Sequence, residues 1–265
     1  MQHGKCKLCL NDRPLCNSHL IPRAVYALCR AQKAPNPNPL MVTHALALQT
    51  SRQAQWPLLC FSCEQLLRER GEDWVTTQLA QYGDVFPLGE ALKTLPSIVN
   101  EPDLTAYELE TSPTIRANDL IHFAMGIFWK ASVHTWVGAN TKPFISLGPY
   151  EEPIRKFLLG EQDFPAHMAL SLVVLPVPVE LIGFHFPFET ASRPDDRTYH
   201  LYVPGLSFTL WVGPEMPWEI SMGALSRRPH QVLVHDVAPL IAKRYKEAYA
   251  TARKARKLKM TRNQK

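Results

Sequence analysis

Two short stretches decide the fold of this chain: CKLCLNDRPLCNSHLIP at residues 6–22 and LLCFSCE at residues 58–64. Each contains two cysteines separated by two residues, a spacing that lets both thiolates of a tight turn point at one metal ion. Two such pairs complete a tetrahedral set of sulfur ligands. The sequence therefore predicts a structural zinc (Zn²⁺) site formed by four cysteines. These are Cys6, Cys9, Cys60 and Cys63.

A second ligand set competes for the first cysteine pair. Cys16 and His19 are also separated by two residues, so they could join that pair in a site of three thiolates and one imidazole. Such a site leaves the second cysteine pair without a role, and the four-cysteine site is therefore favoured. Cys16 and Cys29 are then expected to be small buried hydrophobic residues.

The composition is that of a folded protein of mixed structure. Of its 265 residues, 46% are hydrophobic and 20% are charged, which excludes disorder over most of the chain. The 23 prolines argue against a long helical bundle. All six cysteines lie before residue 64, and no apolar signal segment precedes them, so metal binding in the cytoplasm is favoured over disulfides. The most apolar helix candidate, residues 118–137, contains ionisable residues and is expected to be a core helix, with no membrane partner.

Hydrophobic periodicity predicts an α+β protein in three parts. Residues 1–84 are expected to form a small zinc-stapled module, and residues 85–242 a larger mixed α+β domain of unknown role. Residues 243–265 are expected to form a basic C-terminal helix or tail. Helices are predicted at residues 23–31, 64–82, 87–95, 114–137 and 151–159, and after residue 236. Strands are predicted at residues 15–21, 41–48, 56–60, 104–110, 169–179, 181–188, 198–203 and 206–212.

The positive charge of the chain is concentrated in the tail. Residues 243–265 hold ten Lys or Arg and one Glu, a net charge of +9, whereas the whole chain is +5. A segment of this charge is an electrostatic surface for nucleic acid, although a solvated helix is the plainer interpretation. The residues expected to contact phosphates are Arg253, Lys254, Arg256, Lys257 and Lys259.

The order of C-x-x-C, SHLIP at residues 18–22 and C-x-x-C-E at residues 60–64 resembles the HNH, or His-Me finger, endonucleases. The resemblance is to the branch with a four-cysteine zinc site beside its ββα unit, and it covers residues 3 to 82. It implies that the module of residues 1–84 is HNH-like and of ββα type. It implies a metal-dependent nuclease that hydrolyses phosphodiester bonds in nucleic acid, with DNA as the expected partner. In this resemblance His19 matches the general base, and Glu64 matches the residue that helps hold a catalytic Mg²⁺ or Mn²⁺.

Two positions depart from that family pattern. Ser18 stands where the pattern has an acidic ligand, and Glu64 stands where it has Asn or His. One carboxylate has thus moved from the strand to the helix, where it remains a good ligand for a hard cation. Arg52 is the candidate for binding the scissile phosphate, although a solvated arginine in a hairpin loop is the plainer interpretation.

Other interpretations of the same residues stay open. The first is a catalytically silent zinc-binding module that binds nucleic acid or protein, and Ser18 is its main support. The second places the function in the C-terminal domain, as a sensor or oligomerisation domain that could bind a protein partner, with the zinc module as its anchor. Locally, Glu64, Arg68 and Glu72 are spaced four residues apart and could form no more than a salt-bridged helix face.

Overall fold

The computed structural model describes most of the chain. The described ranges are residues 2–30, 40–42, 47–49, 52–136, 142–176, 182–191, 197–214 and 216–235. The described strands are β1 (His3–Lys5), β2 (Asp12–His19), β3 (Leu40–Val42), β4 (Ala47–Gln49), β5 (Gln55–Cys60), β6 (Ser97–Glu101), β7 (Leu104–Glu108), β8 (Met168–Val174), β9 (His185–Ala191), β10 (Arg197–Val203), β11 (Leu206–Val212) and β12 (Gln231–His235).

The α-helices in the same ranges are α1 (Arg23–Leu28), α2 (Phe61–Leu67), α3 (Asp73–Gln78), α4 (Pro87–Leu92), α5 (Ala117–Val133), α6 (Glu151–Leu159) and α7 (Trp218–Met222). A π-helical turn, Arg68–Glu72, joins α2 to α3, and a 3-10 turn, Gly148–Tyr150, precedes α6. The predicted α+β class is confirmed.

The N-terminal part is built on a three-stranded sheet in the order β1-β2-β5. Strand β2 begins at Asp12, three residues earlier than predicted, because β1 pairs with its first three residues. β1 pairs with residues 12–14 and β5 with residues 15–19, so Pro14 needs no hydrogen bond on its β5 side. Helix α2 follows β5 directly, which produces the ββα order β2-β5-α2.

Helix α5 lies at the centre of the molecule. It packs against the π-helical turn and α3 on the N-terminal side and against α6, β9 and β10 on the C-terminal side. It starts at residue 117 rather than 114, because the Ser112 hydroxyl accepts the backbone N–H of Ile115 at 3.1 Å and stabilises a turn there. It ends at Val133 because His134 is extended.

The C-terminal part contains a seven-stranded sheet in the order β6-β7-β12-β8-β11-β10-β9. Neighbouring strands are antiparallel except β12 and β8, which are parallel. Strands β1, β6 and β12 and helix α7 are absent from the sequence-based predictions. The strand predicted at residues 169–179 ends earlier than expected, at Val174 of β8. The helix expected after residue 236 lies outside the described residues.

One hydrophobic core runs through both parts. Its buried residues include Leu20 and Leu58 of the cysteine-rich part, Phe123 of α5, and Phe208 of β11. Phe123 and Phe208 pack ring against ring, with centroids 6.1 Å apart. The boundary proposed near residue 84 stays a prediction. Among the helices that the structure describes, none has the length and apolar character needed to cross a membrane.

Candidate metal centre and histidine site

Four cysteine side chains converge where the first C-x-x-C turn meets the start of α2. The Sγ atoms of Cys6, Cys9, Cys60 and Cys63 all lie within 4.8 Å of one another, and those of Cys9 and Cys60 are 3.8 Å apart. Four sulfurs held tetrahedrally at about 2.3 Å from zinc lie about 3.8 Å from each other. The predicted four-cysteine cluster is therefore present, with spacing that is compatible with structural zinc.

Backbone groups and a neighbouring helix support this cluster. The backbone N–H of Cys60 donates to Cys6 Sγ at 3.3 Å. Hydrogen bonding from the Cys63 thiol, with smaller contributions from backbone N–H groups, lowers the pKa of Cys6 to about 4. Arg155 of α6 donates to the backbone carbonyl of Leu8 at 2.7 Å, which anchors the first cysteine turn to the C-terminal part. The hydrogen bond with Cys6 raises the pKa of Cys63, so this pair favours one thiolate, the form that binds metal, beside one thiol.

The competing ligand set does not assemble. Within the ranges that the structure describes, the four-cysteine set is the one group of three or more Cys, His, Asp or Glu side chains close enough to hold a metal ion. Cys16 lies outside it and pairs with Leu59 across β2 and β5, and His19 makes a side-chain hydrogen bond to Gln53. Cys29 is buried, as expected, and burial raises its pKa to about 12.

His19 is the last residue of β2 and is half-buried. Burial lowers the pKa of its imidazole, and the positive charges of Lys130 and Arg23 lower it further. The hydrogen bond with Gln53 and the charge of Glu72 act in the opposite direction. The net effect is a pKa below the ordinary value, so the imidazole is neutral at pH 7 and able to accept a proton.

Glu64 lies in the first turn of α2 and makes a side-chain hydrogen bond with Ser18. The Ser18 side chain is 1% exposed, and its Oγ also accepts the backbone N–H of Leu59 at 3.1 Å. Burial raises the pKa of Glu64, while Lys130 and Ser18 lower it. The Oε1 atom of Glu64 is buried without a hydrogen-bond partner. Ser18 thus holds the carboxylate that the resemblance assigns to a metal.

Lys130 and Glu72 form an ion pair whose charges act on both His19 and Glu64. The Lys130 ammonium donates to Glu72 Oε1 at 3.0 Å and to the backbone carbonyl of His19 at 2.9 Å. The expected salt-bridged face of α2 is absent from this arrangement, because Arg68 pairs with Asp73 at 3.6 Å and Glu72 pairs with Lys130. Because residues Arg68–Glu72 form a π-helical turn, Glu72 lies at a different angle around the helix axis than it would in a regular α-helix.

The proposed nucleic-acid contacts differ in how far the structure describes them. Arg52 is exposed and directly precedes Gln53, the hydrogen-bond partner of His19. The five basic residues chosen in the tail lie outside the described residues, so their role stays a prediction. They are Arg253, Lys254, Arg256, Lys257 and Lys259.

Comparisons of this chain with protein-family models, with curated proteins and with solved structures found no match. The resemblance to HNH endonucleases therefore stays a prediction from the sequence.

Sequence reasoning missed the role of Lys130, which it treated only as evidence against a membrane span. The signal that could have found it is a lysine within a helix that is apolar on all sides, because a buried ammonium requires an anionic partner. Glu72 is that partner, and it lies eight positions after Glu64. Regular helical spacing places the Glu64 and Glu72 carboxylates two turns apart. That spacing does not predict that the charge of Lys130 acts on both of them.

Proposed function

We propose that this protein is a metal-dependent HNH-type endonuclease that hydrolyses phosphodiester bonds in DNA. The observation that carries the proposal is the ββα arrangement of β2, β5 and α2. It places a neutral, half-exposed His19 at the end of a strand and the Glu64 carboxylate on the helix that follows. The four-cysteine cluster joins the start of that helix to the first cysteine turn, where structural zinc would fix the unit.

His19 is the proposed general base. Its lowered pKa keeps a ring nitrogen free to take a proton from the attacking water, and the hydrogen bond with Gln53 orients the ring. Arg52, one residue before Gln53, is the proposed phosphate contact.

Glu64 is the proposed ligand of a catalytic cation. Its buried Oε1, which lacks a hydrogen-bond partner, and the hard oxygen of its carboxylate fit Mg²⁺ or Mn²⁺. When bound, the cation supplies charge neutralisation at the phosphate and at the leaving oxygen. Ser18 holds the Glu64 carboxylate through its hydrogen bond and takes no part as a ligand, because its hydroxyl is already engaged by that carboxylate and by the backbone N–H of Leu59.

His19→Ala tests the proposal directly. Zinc-loaded wild-type protein is expected to nick plasmid DNA with Mg²⁺ or Mn²⁺, and the variant is expected to lose at least about 100-fold in rate, the usual contribution of a general base. His3→Ala, which removes an exposed histidine of β1, is the matched control and should retain the activity. Zinc content should be equal in all three proteins. Undiminished cleavage by His19→Ala would contradict the assignment of the base.

The pH dependence of cleavage provides a second prediction. A general base acts in its deprotonated form, and burial lowers the pKa of His19 below about 6.5. The rate is therefore expected to rise with pH and to reach half of its plateau below pH 6.5, leaving full activity at pH 7.5. Single-turnover rates between pH 4.5 and 8.5 measure this limb. A midpoint above pH 7 would contradict a half-buried, neutral His19.

A catalytically silent zinc-binding module is the second candidate. It is favoured by Ser18, which replaces the acidic ligand, and by Lys130, which already supplies a positive charge near Glu64. For this candidate, the wild-type chain should bind DNA with no cleavage under any cation, and His19→Ala should bind equally well.

A further inference from the structure

Lys130 is a fully buried lysine, and only 2% of its side chain is exposed to solvent. Removing an ammonium from water is costly unless anionic and hydrogen-bonding partners replace the lost hydration. Lys130 has two such partners at short distances, the Glu72 carboxylate at 3.0 Å and the His19 carbonyl oxygen at 2.9 Å.

These two acceptors belong to separate elements of the N-terminal part, whereas Lys130 comes from α5. One ammonium therefore links the end of β2, the π-helical turn and the central helix. The end of α5 is itself fixed, because the indole N–H of Trp136 donates to the Lys130 backbone carbonyl at 2.8 Å. Lys130 therefore extends to His19 from a buried helix whose end is held in place.

We propose that Lys130 is a positioning residue for His19. Its ammonium holds the strand end on which the imidazole stands and keeps a fixed positive charge behind the ring, balanced by Glu72. This role rests on the proposed function only in that His19 is taken as the base. It also assigns a task to α5, which lies outside the HNH-like residues: α5 completes the histidine site.

The charges that face His19 are few. Lys130 approaches from α5, Arg23 from α1 and Glu72 from the π-helical turn, and Gln53 donates or accepts the side-chain hydrogen bond. Tyr26 of α1 lies 6.5 Å away, ring centroid to ring centroid, and burial raises its pKa to about 12, so it is neutral. Lys130 and Glu72 therefore act on the imidazole with opposite signs.

Two single variants separate a positioning charge from a merely structural side chain. Lys130→Met removes the positive charge and leaves Glu72 unbalanced, so the pKa of His19 should rise. Glu72→Gln keeps an oxygen that can accept from Lys130 but removes the negative charge, so the pKa of His19 should fall. Loosened packing alone would hydrate the ring and raise the pKa in both variants.

The test is an NMR titration of the His19 imidazole in the zinc-loaded, full-length protein, with the resonance assigned by its loss in His19→Ala. Shifts of about half a pH unit in opposite directions are expected for the two variants. Lys156→Met removes an exposed lysine of α6 and is the control, with no change expected. Shifts of the same sign, or none in Glu72→Gln, would overturn the proposal.

A double variant covers the case in which Lys130→Met fails to fold. Lys130→Met combined with Glu72→Met leaves no unpaired buried charge and should restore folding. The hydrogen bond to the His19 carbonyl is still missing, so kcat for plasmid nicking should stay at least about tenfold below wild type with KM little changed. Wild-type kcat in the folded double variant would show that Lys130 only stabilises the fold. Because the titration needs no cleavage, it tests Lys130 even if the nuclease proposal fails.

Discussion

Cys63→Ser is expected to lose the metal and, with it, the folded state of the N-terminal part. We expect about one zinc ion per wild-type chain, held by the four-cysteine cluster. Structural zinc contributes about 10–16 kcal/mol of apparent binding free energy in small zinc modules, which is as large as the total stability of a typical domain. Elemental analysis and amide hydrogen exchange measure the two effects, and protection should be lost in β2, β5 and α2.

Cys16→Ser is the matched control for this experiment. Cys16 lies in the same strand system but outside the cluster, so the variant should keep its zinc and its exchange protection. Loss of zinc from Cys16→Ser would restore the competing ligand set. A Cys63→Ser protein that unfolds cooperatively with wild-type stability would contradict a structural role for the cluster.

Gly71→Ala is expected to cost about 2–3 kcal/mol of stability, because it overpacks a backbone contact. Gly71 lies in the π-helical turn where that turn crosses α5. A Cβ atom there would lie 2.8 Å from the backbone nitrogen of Phe123 and 2.9 Å from the backbone oxygen of Asp119. Backbone atoms of a buried helix cannot rotate away, so the turn must move off α5 and take Glu72 away from Lys130.

Gly126→Ala is the comparison, since Gly126 lies on α5 in the same region. Its added Cβ would meet only Leu67 Cδ2, at an ordinary distance of 3.8 Å. Alanine is favoured over glycine inside a helix by about 0.8–1.0 kcal/mol, so this variant should be as stable as wild type or more stable. Urea unfolding of both proteins measures the difference. Equal stabilities would show that the contact at Gly71 is not tight.

The parts of the site that local sequence determines could be predicted. The two C-x-x-C turns each set two thiolates through a two-residue spacing. Apolar periodicity predicts a helix at the second cysteine pair, although α2 begins at Phe61 rather than at Glu64. The same stretches contain His19 and Glu64, which the resemblance identifies as the candidate base on a strand and the candidate metal ligand on a helix. Each of these features depends on residues that are close in sequence.

The parts that depend on distant pairing could not be predicted. Strand β12 begins at Gln231 but lies between β7 and β8 in the sheet. The sequence of a five-residue strand does not determine which strands pair with it. The pairing of Lys130 with Glu72 spans 58 residues and depends on how α5 crosses the π-helical turn. Helical periodicity identifies a buried face but gives no partner for it.

The hydrogen bond from Lys130 to His19 determines which of the two sites can be completed first during synthesis of the chain. It joins residues 111 positions apart, whereas all four cluster cysteines have been translated once Cys63 is added. Synthesis proceeds from the N-terminus, and the N-terminal part emerges first. A nascent chain that stops before α5 therefore carries every zinc ligand but lacks the cation that anchors its histidine. All four cluster cysteines are therefore present before the histidine site can be completed, because its anchoring lysine is added only with α5.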